Sequence, residues 1–572
     1  MKRSLCLALF VAASAALPTD SFAQARSAAG AYLAARQAAM QSDYQAAALY
    51  YTQALARDRL NPSLMEDTII AQLALGRVDR ALPVAKILEE EGHRSQAAHM
   101  AIIADLLANE DYESLLQREA DRSGIGPLVD GLLSAWAHIG LGNIDDGIVA
   151  FDTAGTEEAL RNFTQYHKAM ALAYVGDFEA AEGVFTAEGA SRNLQTRRGA
   201  MARAEILSQL GRNADALAYL EDAFGGASDP EILQLKAALK GDEKVPFSHV
   251  TSVQEGAAEV FFSLAGALRN EAGPNYTLLY GRLALHLRPD HVDALLLNAE
   301  LLENLGQYEL AIADYKRVPD TDPAFHAAEI GRAEVLRRDD KPNAAIEVLE
   351  QLAKRFPDHV SVHSTLGDIF RQQENYQKAV TSYDTALDLL DDGNQGEWFL
   401  HYARAISYER LGEWPSAEAD FRRALDLNPD APQVLNYLGY SLVEKQIKLE
   451  EALDMIEKAV AASPDSGYIV DSLGWVLYRL GRYDEAVTQM ELAVELMPVD
   501  PVVNDHLGDV YWAVGRYREA EFQWRRALSF INDGETAQDA DPERIRRKLD
   551  IGLDRVLADE GAEPLHVVED SQ

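Results

Sequence analysis

The chain has 572 residues, and its 92 Asp and Glu residues outnumber its 53 Lys and Arg residues, which gives a formal net charge of −39 at pH 7. A chain this acidic repels phosphate groups and anionic lipid headgroups, so we expect neither nucleic acid nor an anionic membrane surface as its partner. It contains 1 Cys, which excludes an intrachain disulfide and a metal site built from several thiolates.

Residues 1–23 have the pattern of a secretory signal peptide. The basic start Met1–Arg3 is followed by an apolar stretch from residue 5 to 17, and Ser21–Ala23 supplies small residues at the positions that a signal peptidase reads. The apolar stretch is shorter than the roughly 20 residues that a bilayer crossing needs, so we expect no transmembrane span. Because Cys6 lies inside this stretch and not at the cleavage point, the pattern predicts secretion to the periplasm without lipidation.

Residues 24–240 repeat a two-helix plan with an irregular period. The predicted units start near residues 28, 62, 96, 128, 162 and 197. Residues typical of turns fall between the paired helices at Tyr44, Gly76, Gly142, Gly176 and Gly211, and a recurring small position is held by Ala47, Ala81, Ala181 and Ala216. The helical pattern lapses at Gly241–Pro246, so we predict a linker over residues 241–252 between two blocks of repeats.

The repeat is regular over residues 253–535. A small residue recurs at Ala299, Ala333, Gly367, Ala405, Gly439, Gly474 and Gly508, so the successive spacings are 34, 34, 38, 34, 35 and 34 residues. A second small residue keeps step at Ala311, Ala345, Ala379, Ala417, Ala452, Ala486 and Ala520. Two positions with one period predict an all-α solenoid of stacked helix-turn-helix units, whose starts fall at residues 258, 292, 326, 360, 398, 432, 467 and 501. The long spacing coincides with a turn-rich insert over residues 391–396.

A capping helix is predicted after the last unit, within residues 536–560. Its apolar stripe contains Ile545, Lys548, Leu549, Leu553 and Val556, and the other side is charged. Solenoids need such a terminal element because the last repeat would otherwise expose its stacking surface. Residues 561–572 form an acidic tail.

The unit that starts at Gly467 resembles a tetratricopeptide repeat. Its small residues Gly474, Ala486 and Ala493 stand where that family brings paired helices close together, and Leu477 and Tyr483 stand where the family fills the adjoining gaps. The resemblance covers nearly all of the chain after residue 23. It implies a right-handed α-solenoid that binds other proteins.

Three stretches also resemble a narrower group of bacterial envelope proteins. They are Asn436–Tyr440, Asp471–Trp475 and Asn504–Asp509. The group includes an outer-membrane lipoprotein that serves as adaptor and activator of a periplasmic carboxyl-terminal processing protease. This chain departs from that lipoprotein because it has no Cys at the predicted cleavage point.

In the tetratricopeptide family the first helix of each unit lines the ligand groove. The resemblance therefore implies a groove surface, here named the first-helix face, made of Phe399, Tyr402, Asn436, Tyr440, Tyr468, Asp471, Trp475, Tyr478, Asp505, Asp509 and Trp512. Aromatic rings beside carboxylates suit a protein segment with basic and apolar side chains. The family's clamp for a terminal carboxylate needs Lys, whereas Asn436, Asp471 and Asp505 stand at those positions, so we do not expect that clamp.

The sequence shows no pattern typical of an enzyme. Its 13 His residues are scattered without a metal-ligand spacing, and no glycine-rich phosphate loop is present, so we expect no catalytic site, metal or cofactor. The sequence favours a periplasmic scaffold or adaptor for another envelope protein. Two alternatives stay open: an adaptor that brings substrates to a periplasmic protease, and an assembly factor for outer-membrane or cell-wall machinery. Partner identity and oligomeric state also stay open.

Overall fold

The fold is described from a computed structural model. The structure describes residues 19–118, 123–156, 160–187, 196–225, 229–241, 243–390, 396–531, 540–562 and 565, with side chains from residue 29 onward. Within this part of the chain every regular element is an α-helix, which confirms the predicted all-α fold. None of these helices is both long and apolar enough to cross a membrane. The predicted signal peptide, residues 1–23, lies mostly outside the described residues.

The chain forms two compact units, residues 1–352 and 353–572. The helices that begin in the first unit are α1 Thr19–Met40, α2 Tyr44–Leu55, α3 Pro62–Ala74, α4 Val78–Glu90, α5 Gln96–Ala108, α6 Tyr112–Leu116, α7 Pro127–Gly140, α8 Ile144–Ala154, α9 Arg161–Tyr174, α10 Phe178–Thr186, α11 Arg197–Gln209, α12 Asn213–Phe224, α13 Pro230–Leu239, α14 Val253–Leu268, α15 Pro274–Leu287, α16 Val292–Asn304, α17 Tyr308–Tyr315, α18 Phe325–Arg338 and α19 Pro342–Arg355. Most of them alternate as first and second helices of successive repeats.

The second unit continues the alternation to the end of the array. Its helices are α20 Val360–Gln372, α21 Tyr376–Asp388, α22 Glu397–Arg410, α23 Trp414–Leu427, α24 Pro432–Glu444, α25 Leu449–Ala462, α26 Gly467–Arg479, α27 Tyr483–Leu496, α28 Pro501–Ala513, α29 Tyr517–Phe530, α30 Pro542–Ile551 and α31 Leu553–Glu560. The even-numbered helices α20 to α28 are first helices, and each packs against the helix that follows it.

Local sequence signals set the helix ends. Asp500 accepts hydrogen bonds from the backbone N–H groups of Val502 and Val503 at 2.9 and 3.0 Å, and Pro501 takes the first helical position, where no N–H is needed. Just beyond the end of α26, Gly481 has a φ of +75°, a conformation that residues with a Cβ rarely adopt. The turn residues of the sequence repeat therefore start and stop the helices as expected.

The recurring small position brings the two helices of a repeat into contact. A Cβ on Gly474 would lie 2.7 Å from Cγ of Met490, which follows sixteen residues later on the second helix. A Cβ on Gly367 would lie 2.5 Å from the ring of Tyr383, at the same offset in its own repeat. Small first-helix residues thus leave room for large second-helix residues, and this gives the period its physical basis.

The first unit is held together by contacts that are distant in sequence. Helices α14 and α15 pack against α3, α5, α7 and α9, which are first helices of the N-terminal repeats. The approach is close, because a Cβ on Gly256 of α14 would lie 2.6 Å from the buried ring of Trp136 on α7. The side chain of Gln254 also donates a 2.7 Å hydrogen bond to the carbonyl of Ala108, at the end of α5.

Residues 241–252, predicted as a linker between two blocks, lie within the first unit. The backbone N–H of Ser248 donates to the Glu205 carboxylate at 2.8 Å, and the carbonyl of Val245 accepts from Gln209 at 2.6 Å. The compact units divide instead after Leu352, because α14 and α15 pack against the N-terminal helices.

Two helices occupy the position of the predicted single cap. Helices α30 and α31 meet at Gly552, whose φ is +83°. Ile545, Leu553 and Val556 of the predicted stripe are fully buried, and Lys548 is 1% exposed. Residues 536–539 and most of the predicted tail, 561–572, lie outside the described residues.

Candidate protein-binding face

The predicted first-helix face lies on four consecutive first helices of the second unit: α22, α24, α26 and α28. Equivalent positions line up from repeat to repeat. Asn436, Asp471 and Asp505, for example, are 35 and 34 residues apart and occupy the same turn of successive helices. The face divides into three regions. One is exposed to solvent, one is closed by packing between first helices, and one is covered by the C-terminal helices.

The first region is open to solvent. Phe399 on α22 is 43% exposed and Tyr468 on α26 is 53% exposed. Tyr402 is partly buried, with its ring 6.3 Å from that of Phe399 and 6.1 Å from that of Tyr437. Burial raises the pKa of Tyr402 to about 12, and nearby phenols including Tyr468 add to the shift, so its hydroxyl is a hydrogen-bond donor at neutral pH. We name Phe399, Tyr402 and Tyr468 the aromatic patch.

The second region is closed by packing between first helices. The Trp475 ring stacks on His506 of the next repeat at 4.1 Å and on Tyr478 at 4.9 Å, and the Trp475 indole N–H donates to Glu444 at 2.8 Å. Trp475 and Tyr478 are 9% and 8% exposed. Most of their ring surface is therefore committed to contacts inside the unit.

A buried contact between a histidine and a carboxylate joins α26 to α28 in this region. Nδ1 of His506 lies 3.1 and 3.0 Å from the two carboxylate oxygens of Asp471. Burial alone would lower the pKa of His506, but the Asp471 carboxylate and the more distant Asp505 and Asp509 outweigh it, so the pKa is raised above its usual value. The contact between the imidazole and the carboxylate thus links two repeats.

Asn436 and Tyr440 lie one repeat earlier, on α24. Asn436 is 8% exposed, and its Oδ1 has no hydrogen-bond partner among the described residues. Tyr440 is partly buried and packs against the apolar core of the unit. These two residues border the aromatic patch on one side and the closed region on the other.

The third region is covered by the C-terminal helices. The ammonium of Lys548 on α30 lies between two predicted residues, 2.9 and 3.0 Å from the oxygens of Asp505 and 2.7 and 2.8 Å from those of Asp509. The indole N–H of Trp524 donates to Asp509 at 2.9 Å and fixes that carboxylate. The side chain of Lys548 is 0% exposed.

Trp512 contacts the same helices. Its indole N–H donates to Asp554 of α31 at 3.0 Å, and its ring packs against Trp524 at 5.4 Å. A Cβ on Gly552 would lie 2.8 Å from the Trp512 ring, so the glycine between α30 and α31 allows the close approach. Whether these covered residues also bind a partner stays a prediction.

Two residues of this face were missed as functional residues. Lys548 could have been found from its place in the apolar stripe of the predicted cap, three residues after Ile545, where a charge needs a partner. His506 has no comparable signal, because the sequence does not say that Asp471 of the preceding repeat faces it. The described residues contain no group of three or more His, Cys, Asp or Glu that could hold a metal ion.

The equivalent face of the first unit contacts α14 and α15. Glu259 of α14 is 1% exposed and accepts hydrogen bonds from Tyr166 of α9 at 2.8 Å and from Arg198 of α11 at 2.9 and 2.8 Å. Arg198 and His291 hold the pKa of Glu259 well below its usual value despite its burial. Arg282 of α15 donates to the carbonyl of Ala74 at the end of α3 at 3.0 Å.

A comparison with family profiles finds one described as Tetratricopeptide repeat. It matches residues 32–95, 263–324, 330–394, 402–467 and 445–501, which together make up just over half of the chain. The matched stretches lie in both units.

Relatives match over parts of the chain. A protein of Pseudomonas aeruginosa described as TPR repeat-containing is 27% identical over 194 residues, 33% of this chain and 32% of its own length. A lipoprotein NlpI homolog of Haemophilus influenzae is 38% identical over 93 residues, 16% of this chain and 28% of that protein. Among solved structures, the Cut9-Hcn1 hetero-tetramer of APC/C matches with 14% identity and a TM-score of 0.39 over 93% of this chain and 98% of the other. The chain spans about a third of the length of the curated relatives it matches.

Proposed function

This chain belongs to the tetratricopeptide repeat family, whose members act as scaffolds for protein–protein interaction, and we propose that its own partner docks on the aromatic patch of the second unit. In this proposal the chain is a non-catalytic scaffold or adaptor. The partner supplies a segment with apolar and basic side chains.

The observation that carries the proposal is the exposure of Phe399 and Tyr468. Aromatic residues on first helices are otherwise used for packing in this unit, as Trp475 and Tyr478 are. Phe399 and Tyr468 lie on the same face two repeats apart and keep about half of their surface in solvent. Large aromatic side chains held on rigid helices are typical anchors of protein interfaces.

Two other first-helix surfaces support this choice because they are covered. In the first unit, α14 and α15 contact the first helices from α3 to α11, with Glu259 and Arg282 buried in the contact. In the last repeat, α30 and α31 cover Asp505, Asp509 and Trp512. The aromatic patch lies in neither of these covered regions.

Charge favours a basic partner. The net charge of −39 attracts cationic segments at long range and raises the rate of encounter. Rings that are open on one side also suit apolar side chains and the flat face of Arg. A partner segment with both basic and apolar side chains would be attracted by the negative charge of the chain and would fit the aromatic patch.

The test is partner capture with matched variants. The secreted protein is crosslinked in envelope extracts, captured proteins are identified by mass spectrometry, and the purified partner is titrated against each variant. Phe399→Ala with Tyr468→Ala should weaken binding by at least about 2 kcal/mol, roughly thirtyfold. Phe522→Ala is the control, because Phe522 is 58% exposed but lies on a second helix. If the wild-type protein, the double variant and the Phe522→Ala control bind the partner equally well, the binding surface lies elsewhere.

The proposed location is the periplasm, reached by cleavage of residues 1–23 and without a lipid anchor. The basic, apolar and small-residue order of the leader supports it, as does the position of Cys6. Cell fractionation with N-terminal sequencing tests it. A protein that starts at Met1, or one recovered only from the cytoplasm, would contradict it.

A finer role as adaptor and activator of a periplasmic protease rests on the resemblance of Asn436–Tyr440, Asp471–Trp475 and Asn504–Asp509 to bacterial envelope proteins that include such an adaptor. The role predicts that a protease is among the crosslinked proteins and that added scaffold speeds its degradation of a bound substrate. A stable stoichiometric complex without a protease would favour an assembly factor for outer-membrane or cell-wall machinery instead.

A further inference from the structure

The last repeat of the second unit carries an occupant from its own chain. Helices α30 and α31, here named the C-terminal helix pair, pack on the surface predicted to receive a ligand. Ile545, Lys548, Leu553 and Val556 are buried in the contact, whereas Arg546 and Arg547 keep about half of their side-chain surface in solvent. Helix α30 of this pair carries four basic and two acidic residues and buries one face, which is the chemistry expected of a ligand for this surface.

The contact is built around one ammonium group. Nζ of Lys548 lies within 3.0 Å of all four carboxylate oxygens of Asp505 and Asp509. The Trp524 ring stands 5.8 Å from the same nitrogen, and Arg544 approaches Asp509 at 3.7 Å. Two carboxylates and one aromatic ring surround a single buried cation, so the site is suited to bind a lysine side chain.

A cap made only to cover the last repeat would need apolar residues and no charge. Burying Lys548 with two carboxylates requires the removal of three charges from water, so the site is costly unless the cation is always supplied. If the C-terminal helix pair leaves, Asp505 and Asp509 stand one helical turn apart without the ammonium that separates their like charges. Replacement by another lysine is therefore favoured over simple opening.

The occupant comes from the end of the array and consists of two short helices, Pro542–Ile551 and Leu553–Glu560. Segments of this kind open at lower free energy than the repeats beneath them. Asn436, two repeats before Asp505 in the same column, has a buried Oδ1 without a partner among the described residues. An acceptor therefore remains unused two repeats before the covered region.

We propose that the first-helix face of the last repeat is a docking site for a lysine-bearing helix of a partner protein, and that the C-terminal helix pair occupies this site in cis until the partner displaces it. The partner helix carries an apolar residue three positions before the lysine and another directly after it, as Ile545, Lys548 and Leu549 do. This site is separate from the aromatic patch and does not depend on it.

The test starts from the full-length protein. A protease site is placed within residues 532–539, the folded protein is cut, and the released end is labelled so that its loss can be followed by fluorescence anisotropy. Synthetic peptides that cover residues 540–562 are added as competitors. The Lys548→Met peptide is compared with an Arg546→Met peptide, which loses the same charge from an exposed position.

The proposal expects the wild-type and Arg546→Met peptides to displace the labelled end, while Lys548→Met needs at least about tenfold more peptide, because a hydrogen bond to a charged group contributes that much. Equal competition by the two variant peptides would overturn it. So would a labelled end that stays bound at a thousandfold excess of wild-type peptide.

A second measurement covers the case in which the cut protein unfolds. The uncut chain with Lys548→Met retains the tether but has a weakened occupant. It should bind the labelled wild-type peptide, while the uncut wild-type chain should not, because its own helix pair is present at high effective concentration. Absence of binding to the folded Lys548→Met chain would overturn the proposal. Loss of partner capture at the aromatic patch would leave both results unchanged.

Discussion

Replacement of Lys548 by Met should destabilise the second unit far more than removal of an exposed lysine. The Lys548 side chain is 0% exposed, and its partners Asp505 and Asp509 are 7% and 2% exposed, so water does not compensate the carboxylates that the variant leaves behind. Met keeps the length and most of the volume of the side chain. The expected loss of unfolding free energy is about 3–5 kcal/mol, as for other buried pairs that lose one partner.

Urea unfolding followed by tryptophan fluorescence measures this loss. Five of the 6 Trp residues lie after residue 352, so the emission reports mainly on the second unit. The control is Lys458→Met, because Lys458 and its partner Asp454 are both 63% exposed. A pair this open contributes less than about 1 kcal/mol.

The pH dependence of the stability loss shows whether the uncompensated carboxylates cause it. Burial raises the pKa of Asp505, and the ammonium of Lys548 opposes the shift, so the pKa should rise further in the variant. A carboxyl group with a raised folded-state pKa destabilises the fold above that pKa and ceases to do so as the pH falls through it. The defect of Lys548→Met should therefore shrink on acidification. Adding Asp505→Asn and Asp509→Asn should recover most of the stability at neutral pH.

Equal losses for Lys548→Met and Lys458→Met would refute this reasoning. A Lys548→Met defect that is independent of pH would also refute it, because lost packing alone would then account for the effect. The triple variant separates the two causes, since it retains the packing of Met and removes the uncompensated charges.

Two further predictions concern the same unit. The pKa of His506 is raised by Asp471 against the effect of burial, so its contribution should be complete below about pH 6.5 and lost as the pH rises through the folded-state value; His506→Gln should flatten this decline in urea titrations across that range. Gly367→Ala should cost about 1–3 kcal/mol in the same assay, because the Tyr383 ring in its path is held by Asp368. Gly474→Ala should cost less, because the unbranched Met490 side chain can adapt more readily than a ring. Equal effects of the two alanine substitutions would contradict the packing argument.

Much of the fold could be predicted because a tetratricopeptide repeat is specified locally. The offset of sixteen residues between Gly474 and Met490 lies within one repeat, and so does the turn at Gly481. Each repeat restates the same helix lengths, turn residues and small positions, so the period is visible without knowledge of distant contacts. The same regularity indicated which helix faces would form a common surface.

The sequence by itself thus determined the all-α solenoid, the first-helix positions and the apolar stripe of the cap. Only the tertiary structure decided which of those positions are covered. Lys548 meets Asp505 across 43 residues, and Gln254 of α14 meets Ala108 across 146. Such contacts join helices from different repeats, and no periodic pattern specifies them. Whether a side chain is covered depends on the folded chain as a whole. Phe399 and Tyr468 therefore remain exposed, whereas the chemically similar Trp475 is buried by the packing of neighbouring helices.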